Sequence, residues 1–174
     1  MMLNEKLAKK FEFRDIRPDE ATQAARAEQI CFPPNEACSE SMMRERVATI
    51  PEMFLVAVDK KTGKIAGFIN GMATTEENLR DVFFESADCY NPKGKNVMIL
   101  GLDVLPEYRG QGLARELVDR YVDRETVRGR EKIILTCLDS KIAMYEKMGF
   151  HNDGLSESVW GGEKWYQMSR TLQN

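Results

Sequence analysis

Apolar and polar positions alternate in short blocks along this chain, and the blocks change period from strand-like to helix-like several times. Phe11, Phe13 and Ile16 stand among charged residues and predict a short first strand. Arg17-Pro18-Asp19-Glu20 then supplies turn and helix-start chemistry for a helix reaching about Ile30. Pro33 and Pro34 fix φ and lack amide donors, so Phe32-Pro33-Pro34-Asn35 is expected as a loop. Ser39 or Ser41 can cap a second helix that ends before Pro51. The apolar runs Met53 to Val58 and Ile65 to Ala73, separated by Asp59-Lys60-Lys61-Thr62-Gly63-Lys64, give the clearest hairpin.

Farther along, Glu76 to Asp88 is mixed and predicts a short helix, and Asn91-Pro92-Lys93-Gly94-Lys95 a turn before the strand Val97 to Val104. Leu113, Leu117, Val118, Tyr121 and Val122 recur at helical spacing and predict an amphipathic helix to about Val127. Ile133 to Cys137 follows as a buried strand. Ser140 can cap a short helix through Lys147, Gly149 stops it, and Lys164 to Leu172 is the final strand. Strands and helices interleave without an internal repeat or an interdomain linker. The fold class expected is therefore α/β (α+β), with one sheet and helices packed on its faces.

Composition narrows the function classes. A chain of 174 residues suits one domain, read here as 1–174, and 43% hydrophobic with 30% charged residues excludes wholesale disorder. Lys and Arg number 25 against 28 Asp and Glu, a net charge of -3, so a basic nucleic-acid footprint is absent. The longest apolar stretch, Val97 to Leu102, falls far short of the ~20 residues that span a bilayer. The first residues carry no apolar signal region, and a cytoplasmic protein without membrane partners is expected. Cys31, Cys38, Cys89 and Cys137 form no CxxC pair and are read as free thiols, while the single histidine, His151, argues against imidazole metal clusters. No metal is expected.

The most informative segment is Leu102-Asp103-Val104-Leu105-Pro106-Glu107-Tyr108-Arg109-Gly110-Gln111-Gly112-Leu113-Ala114, a strand that ends in a glycine turn and opens into a helix. Glycines let backbone approach a ligand closely, and the unpaired amides of a first helical turn favour phosphate. Leu113 and Ala114 after Gly112 do not supply the Lys-Ser/Thr of a Walker A loop. Arg115 stands where a dinucleotide loop has its third glycine or alanine.

Arg109-x-x-Gly112-x-Ala114 after a strand ending Leu-Asp-Val resembles the coenzyme A motif of the GNAT superfamily of acetyl-CoA-dependent N-acetyltransferases. Ala143-Met144-Tyr145-Glu146-Lys147-Met148-Gly149-Phe150 is similar to that superfamily's tyrosine helix and its Gly-Phe ending, and the branch resembled most is that of the arylalkylamine N-acetyltransferases. The resemblance implies a mixed, mostly antiparallel central sheet with splayed fourth and fifth strands. It implies acetyl-CoA as the acetyl donor and direct attack by a primary amine in a ternary complex. The implied cofactor residues are Leu102, Asp103, Val104, Arg109, Gly110, Gln111, Gly112, Leu113, Ala114 and Ser140. Tyr145 matches the family's general acid for the departing thiolate, its other reading being a half-buried core tyrosine. Phe32 and Pro33 lie where the family covers its acceptor, suiting a small amine, aromatic or otherwise.

The chain departs from the arylalkylamine branch at Met98 and Leu100, where that branch has two histidines that help deprotonate the amine. Glu36, Glu85, Asp88 and Asp103 are carboxylates able to act through water, each expected to be a solvated surface group, and His151 is expected on a strand or surface. Met42, Met43, Met53, Met98 and Met148 suit either an adaptable pocket or core filling. Alternative functions are acetylation of a protein lysine or N-terminus, or coenzyme A binding without turnover. The chain is expected to work as a monomer or homodimer.

Overall fold

The structure is a computed structural model that describes residues 3–173. In chain order the elements are α1 (Leu3–Lys10), β1 (Phe11–Arg14), α2 (Ala21–Cys31), α3 (Glu40–Thr49), β2 (Phe54–Asp59), β3 (Ile65–Thr74) and α4 (Val82–Glu85). There follow β4 (Asn96–Val104), α5 (Leu113–Val127), β5 (Lys132–Cys137), α6 (Ile142–Lys147), β6 (His151–Leu155) and β7 (Tyr166–Thr171). The strands form one seven-stranded sheet in the order β1-β2-β3-β4-β5-β7-β6. The pairs β1·β2, β2·β3, β5·β7 and β6·β7 are antiparallel, and β4·β5 is parallel. This is the expected α/β class with a mixed, mostly antiparallel sheet.

The β4·β5 ladder runs from Asn96↔Lys132 to Met98↔Ile134, after which Leu135, Thr136 and Cys137 pair with β7. The fourth and fifth strands therefore part, as anticipated.

Several local expectations are corrected. Helix α1 has one buried side chain among residues 4–10, Leu7, and so shows no apolar stripe to read. Strand β6, His-Asn-Asp-Gly-Leu, has poor strand formers and exists through its ladder with β7, a tertiary override of propensity. The Glu76 to Asp88 helix shrinks to α4 and a 3-10 turn at Ala87–Cys89, and the last strand starts at Tyr166 instead of Lys164. Ser39, not Ser41, caps α3 by accepting from the Met42 amide at 3.1 Å. Ser140 caps nothing: it lies inside the 3-10 turn Asp139–Lys141, and Lys141 is the uncapped start of α6.

The described chain divides into two compact units. In the first, up to Asn70 with Gly101–Arg120, α2 buries Ala21, Ala24, Ala25 and Ala27, whose small side chains permit close packing, and also Glu28. Phe54 and Phe68 lie 6.0 Å apart, and Phe11 meets Tyr108 edge-on at 5.7 Å. At the head of α2, burial pushes the Glu20 carboxyl up. Two 2.8 Å bonds from Arg14 and one from the Arg17 amide outweigh that and hold it below the usual carboxylate range.

In the second unit, Gly71–Leu100 and the chain from Tyr121 on, Glu125 is fully buried. It accepts from Arg128 at 2.8 Å and from Arg124 and Arg130 at 3.3 Å each. Arg130 also donates to the carbonyls of Pro92 and Gly94 at 2.7 and 2.6 Å, closing the turn ahead of β4. Met42, Met43 and Met53 are buried in the first unit, and Met98 and Met148 in the second, so these methionines fill core. All four cysteines are free thiols. Among the described residues, no helix is long and apolar enough to cross a membrane.

Candidate functional site

The turn that leaves β4 is held from several sides, all within the first unit. The Leu105 amide donates to the Ala66 carbonyl at 2.9 Å, and Pro106–Tyr108 then winds one 3-10 turn. Arg109 folds back so that Nε donates to the Val104 carbonyl at 2.9 Å. Gln111 donates Nε2 to the Tyr108 carbonyl at 2.9 Å and accepts at Oε1 from Lys10 Nζ at 3.1 Å. The Tyr108 hydroxyl donates to Asp59 Oδ2 at 2.8 Å, which lowers the Asp59 pKa and raises that of the tyrosine. The loop is thus held in place by the protein's own hydrogen bonds.

Between these anchors Gly110 and Gly112 take φ of +79° and +84°, the left-handed region that glycine enters at no steric cost. The first amide bond inside α5 runs from Glu116 to the Gly112 carbonyl at 3.0 Å. The Leu113, Ala114 and Arg115 amides precede it and carry the positive end of the helix dipole. Leu113 is buried and pins the helix start, while both glycines are exposed. Two left-handed glycines leading into a free first turn form a concavity of N–H groups suited to a pyrophosphate. The residues present fit the diphosphate of a coenzyme A donor.

The expected cofactor residues Leu102, Asp103, Val104, Arg109, Gly110, Gln111, Gly112, Leu113 and Ala114 therefore lie on one continuous strand, loop and helix start. Within that run Asp103 is a correction: it is fully buried, not a solvated carboxylate, which leaves only its backbone for a ligand. Burial first, then the charge and hydrogen bonding of Glu28 and the thiols of Cys31 and Cys38, push its pKa well above the usual carboxylate range. Glu36 is half-buried, whereas Glu85 and Asp88 are exposed as expected.

Phe32 is half-buried and Pro33 exposed. They begin a loop in which the Pro33 carbonyl accepts from the amides of Glu36 and Ala37, both at 2.9 Å. Ser140 and Tyr145 belong to the second unit. Ser140 is exposed. Tyr145 is half-buried on α6, its ring edge-on to Phe150 at 5.8 Å, and its carbonyl accepts from the amides of Met148 and Phe150 at 3.0 Å. His151 is 81% exposed and bonds Asp153 at 2.9 Å.

Two features escaped the sequence. One is a buried polar group in the first unit: Glu28, Asn70 and Asp103 around Gly101. The other is an open cleft of about 420 Å³ in the second unit, whose lining includes Arg80, Asp81, Asp153, Glu157 and Gln167. Its wall is tied together by a short hydrogen bond from the Ser158 hydroxyl to Asp81. Neither has a spacing signature, because each is assembled from distant segments. Only Glu28, a charge on the alanine-lined face of α2, gave a readable sign.

Residues 19–150 match the acetyltransferase (GNAT) family, and the chain belongs to that family. Its fold is similar to a GNAT-like decarboxylase, GphF, solved with isobutyryl-CoA: TM-score 0.77 at 20% identity, over 93% of this chain and 100% of that one. A phosphinothricin acetyltransferase from Sinorhizobium meliloti, solved with acetyl-CoA, aligns at TM-score 0.68 and 21% identity over 94% and 89%. A spermidine N-acetyltransferase chimera from Vibrio cholerae and hSSAT aligns at TM-score 0.67 and 17% identity over 93% and 95%. At these identities the likeness is one of fold.

Proposed function

We propose that residues 1–174 form one cytoplasmic N-acetyltransferase domain that transfers an acetyl group from acetyl-CoA to a primary amine by direct attack in a ternary complex. The observation that carries this reading is the anchored loop with left-handed Gly110 and Gly112 at the start of α5. Acetyl-CoA supplies the activated thioester. The Gly110 to Ala114 amides would hold its diphosphate, and the backbone of Leu102 to Val104 would hold its pantetheine arm. Ser140 would add a polar contact to that arm. Tyr145, placed by its motif, would give a proton to the departing thiolate.

The acceptor is a small amine, aromatic or otherwise, as in the arylalkylamine branch, with Phe32 and Pro33 forming one apolar wall. Proton removal follows a route other than that branch's histidines, since Met98 is completely buried and both Met98 and Leu100 lack a titratable group.

Two measurements test the reading. Acetyl-CoA-dependent thiol release is measured against aromatic amines, polyamines, amino acids and short lysine peptides, and release with one amine class is the expected result. Silence across the panel while acetyl-CoA still binds would leave a binding module without turnover. Gly112→Val forces a β-branched residue into the left-handed region. Calorimetric acetyl-CoA affinity should fall by about tenfold or more while the fold persists, and unchanged affinity defeats the loop assignment.

A further inference from the structure

Glu28 occupies a crossing point in the first unit. Its backbone carbonyl accepts from the Phe32 amide at 3.0 Å, and its Oε2 accepts from the Cys38 amide at 2.9 Å, so one residue holds both ends of the Phe32 to Ser39 loop. Gln29 adds a 2.8 Å bond to the Cys38 carbonyl. The other carboxylate oxygen, Oε1, is turned toward β4. A Cβ on Gly101 would stand 3.5 Å from it, 3.0 Å from Asp103 Oδ1 and 3.1 Å from Asn70 Nδ2. Glu28, Asn70 and Asp103 are 4%, 1% and 0% exposed.

With both carboxyls ionised, no hydrogen-bond partner is supplied to Glu28 Oε1, to either oxygen of Asp103 or to either amide atom of Asn70, whereas a proton on Asp103 lets it bond Glu28. Around Gly101 the Asn70 amide nitrogen stands with oxygens of two carboxyls, Glu28 Oε1 and Asp103 Oδ1. Two full negative charges in such a place are costly, and burial together with the charge and hydrogen bonding of Glu28 favours the protonated form of Asp103. Other charged or titratable groups act nearby. The Cys31 and Cys38 thiols oppose ionisation of Asp103, buried Arg46 of α3 acts on Cys38, and Arg109 acts on Cys31.

We propose that Asp103 keeps a proton that it shares by hydrogen bond with Glu28 Oε1, and that Glu28 so held is the positioning residue that fastens the Phe32 to Ser39 loop to strand β4. With the proton in place, one carboxyl donates O–H to the other and Oε2 stays on the Cys38 amide. When that proton passes to solvent, two carboxylates face each other, α2 and β4 repel locally, and the loop loses its anchor. The link to acceptor binding rests on the proposed function, in which this loop walls the amine. The anchor itself does not depend on that reading.

The test uses Glu28→Gln and Glu28→Ala in the full chain. Glutamine keeps an oxygen for the Cys38 amide and presents a permanent N–H toward Asp103, imitating the protonated pair. Amide hydrogen exchange at Cys38, corrected for intrinsic rate, should show protection that falls with rising pH in the wild type and stays constant in Glu28→Gln. Acceptor KM should rise over the same pH range in the wild type alone, with kcat less affected. Glu28→Ala should raise acceptor KM by about tenfold or more at every pH, with acetyl-CoA affinity within about twofold of wild type. Identical pH dependence of Cys38 protection in wild type and Glu28→Gln overturns the proposal, as does a Glu28→Gln protein no better anchored than Glu28→Ala. Exchange that follows the expected pattern in a protein acetylating no amine upholds the shared-proton anchor and removes only the acceptor reading.

Discussion

Glu125 in the second unit and Asp103 in the first are both withdrawn completely from solvent, yet their surroundings are opposite. Glu125 is met by three arginines, and one of them, Arg130, goes on to fasten the turn before β4. Asp103 is met by another carboxylate, an amide and two thiols. A buried charge with its counter-charges in place is a structural joint, costly to break. A buried carboxyl without donors is neutral only while it holds a proton, so its state is set from outside. The first kind keeps the scaffold and the second lends itself to function.

The largest effect should come from breaking the joint. Glu125→Ala leaves Arg124, Arg128 and Arg130 facing one another, with Arg130 nearly buried. The loss in chemical denaturation should be about 3–5 kcal/mol. A loss below about 1 kcal/mol would place Glu125 among ordinary surface ion pairs and erase the contrast.

A smaller effect of the other sign is expected at Asp103. Its folded pKa lies above the unfolded carboxylate value, so the folded state binds the extra proton. The stability this contributes is complete below about pH 4 and is lost as pH rises through the folded value. Asp103→Asn removes that dependence. The variant should gain on the order of 1–2 kcal/mol relative to wild type at the alkaline end and show a flatter stability profile. Parallel wild-type and variant profiles would mean that Asp103 ionises without penalty.

The same contrast explains what could be read from the sequence. The glycine loop ahead of α5 was legible because Arg109, Gly110, Gly112 and Ala114 lie within six consecutive residues, and their geometry follows from local backbone chemistry. The hairpin of β2 and β3 was legible from its apolar runs, and α5 from its helical period. The Glu28, Asn70 and Asp103 group was not legible, because its members come from a helix and two strands. Asp103 reads as a polar interruption after an apolar run, and nothing local says that a second carboxylate faces it. Strand β6 was hidden for a related reason: its partner β7, not its own residues, makes it a strand.

The central claim is acetyl transfer to nitrogen, and its most direct measurement is mass spectrometry of acceptor amines incubated with the protein and acetyl-CoA carrying an isotopic label in the acetyl group. The account predicts one labelled acetyl per acceptor molecule, bonded to nitrogen, with an equivalent of free coenzyme A thiol. Label recovered only as acetate or in unreacted acetyl-CoA, with every amine unmodified, would contradict it.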